Sequence, residues 1–527
     1  MSYQGFTVEV PIKSGLHGAK NPTKVPPTHL LRAVNCSFED DVLQKEGGAS
    51  KYNSTAIAGA PTIRAGYDWW PTPSTQRMIV YTGDRLLKDS GDGTFSTTLA
   101  SGLTASDVCV FVEGGKEAAA QDKKLFMFTG TNQVKVLAGD GAIASDIASP
   151  AADWATSFPT FGVNHENRMW AFGNVNDPHR VYYSDPTNHE DFAGPNAGSL
   201  AIYPGEGQRL IGGVSFKNHL LILWKYPKGI YLVDTSNADP ANWRVTRHTG
   251  EIGSGSPRGI IVVEDDVWFV DQVGQIQRLS SVQEFGSIGS ATLSDIDDMN
   301  AYMRRKYDIA QQAEKVQAVY YARKREVHFA VPSEASTIND RRLVVDLSKT
   351  PALRWRESDR DIVTALWSRV GPDKVQQLVA GDDQGFVWLL DRPEKNKDGA
   401  GYLTEIQTAY LDFSWEDPRL AAKNKNGQFL ELVFDSLGAW KLEVDVLWDG
   451  VWRQTMTFDM GAKGATLGEF VLDEDALVES NVMAVRHRLE GSGKYLSLVF
   501  RNNNADEDFS IAKVLVSFQV GDERARI

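Results

Sequence analysis

Short runs of apolar and aromatic residues alternate along the chain with Gly-, Asp- and Asn-rich breaks, and one unit recurs: an apolar strand, a tight turn, a second strand. Its copies are Arg77–Leu87, Lys124–Val136, Arg168–Phe172 with His179–Tyr183, His219–Trp224 with Gly229–Asp234, Asp266–Leu279, Glu326–Val331 with Arg342–Leu347, and Gln377–Asp391. With Val80, Met127, Trp170, Leu223, Phe269, Phe329 and Val379 taken as equivalent, the repeat averages about 50 residues, close to the ~40–50-residue period of four-stranded propeller blades. A hairpin apolar on both faces reads as the inner pair of a blade, buried between two neighbours. A stack of unrelated hairpins has no reason to keep such a beat. The pattern predicts an all-β chain whose residues 61–395 form an irregular β-propeller of about seven blades.

Three segments break the repeat. Residues 294–313 carry Ile296, Met299, Met303 and Tyr307 at helical spacing. Ser294 and Asp297 resemble a capping box, and Arg304, Arg305 and Lys306 come late, where they suit the helix dipole. This predicts an inserted helix packed on the outside of the propeller or against a neighbouring subunit. A charged, Gly-rich linker at Arg392–Gly401 ends the repeat. From 403 to 527, alternating strands such as Lys441–Trp448, bounded by the Asp449-Gly450 turn, predict a C-terminal β-sandwich. Residues 1–60, rich in Pro and Gly, fit no blade and read as an extended N-terminal arm that closes the ring or reaches a partner.

Composition narrows the picture. Of 527 residues, 53 are aromatic and 46 are Gly, which suits aromatic strands joined by tight turns. A hydrophobic fraction of 42% excludes a disordered chain. With two cysteines, Cys36 and Cys109, neither a disulfide scaffold nor a multi-cysteine metal site is expected, and the count fits a reducing compartment. The first residues lack the pattern of a secretory signal, and no run approaches the ~20 apolar residues of a membrane span. The formal charge of −14 argues against a protein that wraps nucleic acid, which takes clustered Lys and Arg, yet suits a surface past which DNA slides without sticking. It also serves plain solubility.

Candidate chemistry is sparse. There is no Gly-x-Ser-x-Gly or His-Glu-x-x-His motif. Gly491-Ser-Gly-Lys494 only superficially resembles a phosphate loop: the motif's first Gly is missing, Tyr495 follows, and its place between strands makes it a turn. Ser90-Gly-Asp-Gly-Thr-Phe95 resembles a shortened Asp-box of sialidase propellers but occurs once, so it too reads as a turn. His179 and His189 flank Asp185, with Glu190 and Asp191 following, a polar loop before it is a metal site. The pairs Asp265-Asp266 and Asp382-Asp383 sit in hairpin turns, where Asp bonds its own backbone. Trp224, Trp268, Trp355, Trp367 and Trp388 are a carbohydrate-stacking set in one reading and blade packing in the other. The sequence thus predicts no enzyme, and no catalytic, cofactor-binding or metal-ligating residues.

Three features carry a resemblance over nearly the whole chain. Leu31-Arg-Ala-Val-Asn-Cys-Ser-Phe38 precedes Val42-Leu-Gln-Lys-Glu-Gly-Gly48; irregular repeats include Gly229–Asp234, Asp266–Gly274 and the helix after Ser294; a terminal β-domain contains Leu489–Ser497 and Phe509–Val514 and finishes on Arg524 and Arg526. In these the chain resembles the tail nozzle proteins (tail tubular protein B, or DNA-stabilisation proteins) of short-tailed bacteriophages, although Glu46 stands where a basic residue or Pro is more usual. The resemblance implies a virion structural protein made in the host cytoplasm: a six-fold homo-oligomeric ring below the portal and the tail adaptor protein, the last conduit for DNA and a platform for tail fibres or spikes. The conduit would lie between subunits, pass viral DNA without reading its sequence, and present an acidic lumen. The alternative is a receptor-recognising propeller that binds or cleaves glycans, motivated by the tryptophans and the Ser90–Phe95 fragment. A cytosolic scaffold for protein partners is a third class.

Overall fold

The computed structural model describes residues 4–520, apart from 40, 116–122, 218, 281–288, 351, 436, 437, 439 and 462–481. Six separate four-stranded antiparallel sheets form blades 1 to 6: residues 65–101, 110–146, 161–201, 209–249 and 261–292, with the last built from Ala365–Val370, Gln376–Gly381, Val387–Arg392 and, from the start of the chain, Gly48–Lys51. Between blades 5 and 6 stands a further quartet, residues 317–358. It is not a separate blade, because its outer strand Arg354–Ser358 is continued by Leu30–Val34 into a nine-stranded sheet. The blade count therefore differs slightly from the seven like units expected.

The seven positions aligned in the sequence all fall on the second strand of their quartet and are all buried. The recurring hairpin is thus the middle pair of each sheet; the first strands, such as Ala65–Thr72 and Val110–Gly115, lie nearest the axis. Hairpin chemistry follows from Asp and Gly. Asp382 accepts from the N–H groups of Gln384 and Phe386, both at 2.8 Å, while Gly385 takes φ +80°. Asp271 does the same for Val273 and Gln275 around Gly274 at φ +82°.

Each pair of neighbouring blades shares a wedge of apolar side chains. Ile79 and Tyr81 meet Leu125 and Met127 between blades 1 and 2, and Trp224 meets Phe269 between blades 4 and 5. Blade 6 meets blade 1 through Val379, Trp367 and Val80. The circle is sealed by Gly48–Lys51, which pairs with Val387–Arg392.

The C-terminal part is two facing sheets. One contains Lys425–Asp435, Val482–Arg488 and Ser510–Val520; the other contains Thr404–Thr408, Lys441–Trp448, Val451–Asp459 and Leu496–Asn502. Leu432, Phe434, Val444, Trp448, Phe500 and Val516 belong to the core they share. Residues 1–60, expected as an arm, contribute five described strands. Gln4–Val10, Cys36–Glu39 and Val42–Lys45 join the first C-terminal sheet, Leu30–Val34 joins the second, and Gly48–Lys51 joins blade 6.

The inserted helix is Met299–Lys306, shorter than the expected 294–313. Its capping box does not form: Asp298 occupies the N-cap at φ +55° without a side-chain bond, and the Ser294 hydroxyl instead accepts from the N–H of Ile276 at 3.0 Å and donates to Asn300. Met299 and Met303 are buried with Leu16 and Leu30. Tyr302 donates to Glu357 at 2.6 Å, so the helix lies between the N-terminal segment and the outer strand of the further quartet.

Candidate functional site

The largest concentration of buried charge lies where the N-terminal segment, the 317–358 quartet, blade 6 and the C-terminal sandwich meet. The chain enters on Leu30–Val34 and turns at Asn35, whose φ of +52° is one that Asn tolerates. Asn35 holds the turn by donating to Asp359 and to the carbonyl of Leu403, both at 2.7 Å. The hairpin Cys36–Glu39/Val42–Lys45 follows, and Glu46 is delivered into the interior with 2% exposure.

Glu46 accepts from Arg342 at 3.0 Å and lies 3.9 Å from Arg360. Burial alone would raise its pKa; the charges of Arg342, Arg360, Arg356 and His328 overcome this and hold the carboxyl far below the usual range. Arg356 donates to Glu326 at 2.7 Å, and His328 sits 3.0 Å from the same carboxylate. There too burial opposes ionisation and loses to Arg356, bringing Glu326 to about 2. Arg360 donates to Asp361 at 2.9 Å and lies over the Tyr402 ring at 4.6 Å, with Lys45 over the same ring at 4.4 Å. Lys45, pulled to about 8 by burial, donates to Asn502 at 2.9 Å and to the carbonyl of Asn504 at 2.7 Å. Guanidinium groups stay protonated, so these ion pairs offer no acid–base couple. Their effect is mechanical: one segment is tied at once to both large parts of the molecule.

Arg258 bridges the inner ends of three blades. Arg258, in the short turn Pro257–Gly259 before blade 5, donates to the carbonyls of Arg64 at 2.7 Å and Asp107 at 2.8 Å, which precede blades 1 and 2. Beside it is a cavity of about 210 Å³ lined by Ala65, Val110, Phe111 and Phe161 together with Arg258 and Gln317. At ~30 Å³ per water this holds about seven solvent molecules, not a polynucleotide.

The residues weighed in the sequence are dispersed among structural duties. His189 is buried between the N–H of Gly115 and the carbonyl of Asn167, and Asp185 is occupied by Thr187 and Asn196. Glu190 pairs with Lys124 and Asp191 with Ser149. Among the described residues no three His, Cys, Asp or Glu side chains are grouped to hold a metal ion. Ser90–Phe95 is a turn closed by Ser90 and Thr94, and the N–H groups of Lys494 and Tyr495 donate to Asp449. Asp265 pairs with Lys217, and Asp266 lies 3.7 Å from Arg278. Asp382 accepts from the Trp388 indole at 2.8 Å.

Trp224, Trp268, Trp355 and Trp367 are buried, and Trp388 is half-buried beneath Lys51 and Lys397. They pack rather than form a sugar platform. Cys36 and Cys109 are free and buried. Arg524 and Arg526 lie outside the described residues. No described helix is long and apolar enough to cross a membrane. Sequence reasoning did not single out Arg258, Arg342 or Arg356. The available signal was charge inside apolar strands, as in Glu326-Val-His-Phe-Ala-Val331 and Arg354-Trp-Arg-Glu357.

No family model and no curated protein matches the chain. Among solved structures it is similar to the WD40 β-propeller domain of Doa1, at 8% identity over 65% of this chain and 96% of that one, TM-score 0.40. It is also similar to YCF48 from Cyanidioschyzon merolae, at 10% identity over 66% and 99%, TM-score 0.39. A third is YCF48 bound to D1 peptide, at 12% identity over 66% and 95%, TM-score 0.39. At these TM-scores the likenesses carry no argument; the propeller stands on the sheet topology of the chain itself.

Proposed function

We propose that the chain is a structural subunit of the tail nozzle of a short-tailed bacteriophage, acting in the virion tail as a ring of copies below the tail adaptor protein and as a platform for fibres or spikes. The observation that supports this reading is the threading of the N-terminal segment through the rest of the chain. The segment that bears the resemblance, Leu31–Gly48, is the one threaded through the C-terminal sandwich and onto blade 6. Interlocking the start of the chain with its end suits a part that must hold shape under load. The small volume at the centre of the propeller is consistent with it: a duplex would pass between copies in a six-fold ring, not through one propeller.

The test is mass spectrometry of purified particles with electron microscopy of their tails. The reading expects this chain at six copies per tail around the exit channel. Its absence from the tail would overturn the assignment.

A further inference from the structure

A cavity of about 260 Å³ opens at the propeller face on the outer side of Arg258. Arg64, Asp107, Arg258, Lys315 and Asn339 line it, which places three cations against one carboxylate in a chain of net charge −14. Asp107 is engaged by Arg64. Arg258 donates only to the carbonyls of Arg64 and Asp107, and Lys315 only to Gln312 at 3.1 Å and the carbonyl of Thr337 at 2.7 Å. Among the described residues neither Arg258 nor Lys315 has a carboxylate within ion-pair distance, whereas the buried Lys225, Arg342, Arg354 and Arg356 each have one.

Polar atoms are also left over. The Nε atoms of Arg64 and Arg258 are fully enclosed and have no partner, and the Asn339 Oδ1 is likewise enclosed and unpaired. Buried polar groups are ordinarily satisfied, so unpaired atoms gathered in one cavity require a reason. An adjoining cavity of about 130 Å³ supplies the contrast: it carries Arg209 and Glu314, one charge of each sign.

We propose that the mouth of the propeller axis is a binding site for a small polycarboxylate. Carboxylates are the planar acceptors that guanidinium N–H groups fit best, and charge-assisted bonds of this kind are roughly twice as strong as neutral ones. The cations come from three places on the ring: before blade 1, before blade 5 and before the 317–358 quartet. They match an anion with several spaced carboxylates better than one compact phosphate. Citrate, a small tricarboxylate, is the representative ligand of this class. The volume lies below the ~300 Å³ at which drug-sized sites begin, so a nucleotide does not fit. Burial lowers the Arg258 pKa to about 10, so its charge persists at neutral pH and has more to gain from an anion than from water. The site stands or falls independently of the nozzle assignment.

Calorimetric titration of the full chain with citrate at low ionic strength tests it, with inorganic phosphate and sodium chloride at matched ionic strength as comparisons. The expected result is saturable one-to-one citrate binding, weakened about ten-fold or more by Lys315→Gln and restored by Lys315→Arg. Urea midpoints of both variants verify that the fold is intact. No saturable binding at millimolar citrate would overturn the proposal. So would phosphate binding as tightly as citrate, or citrate binding indifferent to Lys315→Gln.

Discussion

Replacing Glu46 by Gln keeps the side chain's volume and one acceptor for Arg342 while removing a single negative charge. In the native protein Glu46, Glu326 and Asp361 oppose Arg342, Arg356 and Arg360, three buried charges of each sign. The substitution leaves one guanidinium uncompensated at 1% exposure of the Arg342 side chain. Removing one partner of a buried pair costs about 3–5 kcal/mol, and the surviving Gln acceptor places this case near 3. Because Glu46 joins the two large parts, the earliest transition in urea, followed by tryptophan fluorescence, should carry the loss. Adding Arg342→Met removes the stranded charge, and most of the stability should return. A cost below about 1 kcal/mol for Glu46→Gln, or additive effects of the two substitutions, would refute the charge-pairing argument.

The same variant reports on acid. Glu326 falls from an ordinary 4.5 to about 2 in the fold, so its ionisation contributes about 3 kcal/mol that is fully present above pH 4.5 and is lost as pH drops toward 2. Glu46, held lower still, acts in the same direction. Wild-type stability should therefore decline steeply below pH 4.5, and Glu46→Gln should flatten that slope in urea titrations run across this range.

Burial pushes the Cys36 thiol up to about 12 and raises Cys109 as well, so Ellman's reagent should find no reactive thiol in the native protein and two after unfolding. At Gly48 a Cβ would stand 1.9 Å from the carbonyl oxygen of Glu394 and 2.3 Å from that of Asn396; Gly48→Ala should cost about 1–3 kcal/mol and open the seal of blade 6 to proteolysis. His165, enclosed between Ser215 and Thr235 at 2.8 Å each, is lowered by burial to about 4. Its neutral form is the folded one, so up to about 3 kcal/mol is present above pH 6.5 and lost as pH falls from 6.5 to 4, a window in which His165→Gln should level the stability curve.

Much of the propeller was legible because its signal is local. A strand buried on both faces must be apolar throughout, and a two-strand hairpin needs its Asp and Gly, so Val80, Met127 and Phe269 announced themselves by composition and spacing alone. The strands nearest the axis were harder. Val110–Gly115 is half-buried along its whole length and has no periodicity to detect. That is why the recurring hairpin was placed one strand too far inward. The capping box at Ser294 failed for a related reason: the Ser hydroxyl found the N–H of Ile276, a neighbour brought by the sheet and not by the helix.

The tie around Glu46 was illegible for a different physical reason. Gly48 pairs with Arg392, Val34 lies beside Glu357, and Glu46 meets Arg342 across nearly three hundred residues of chain. Periodicity describes what a strand needs from its faces; it holds no information on which distant edge will supply its hydrogen bonds. A buried charge is more deceptive still, since Arg342, Arg356 and Glu326 on apolar strands read as solvent-facing positions unless a counter-charge is known to be present. The surplus of charge, not its pattern, is the usable clue. Arg354-Trp-Arg-Glu357 places charges at 354, 356 and 357 of one buried strand, and an interior can accept the two cations only if acids come from other strands, as Asp346 and Glu326 do. The N-terminal segment delivers another, Glu46, to Arg342.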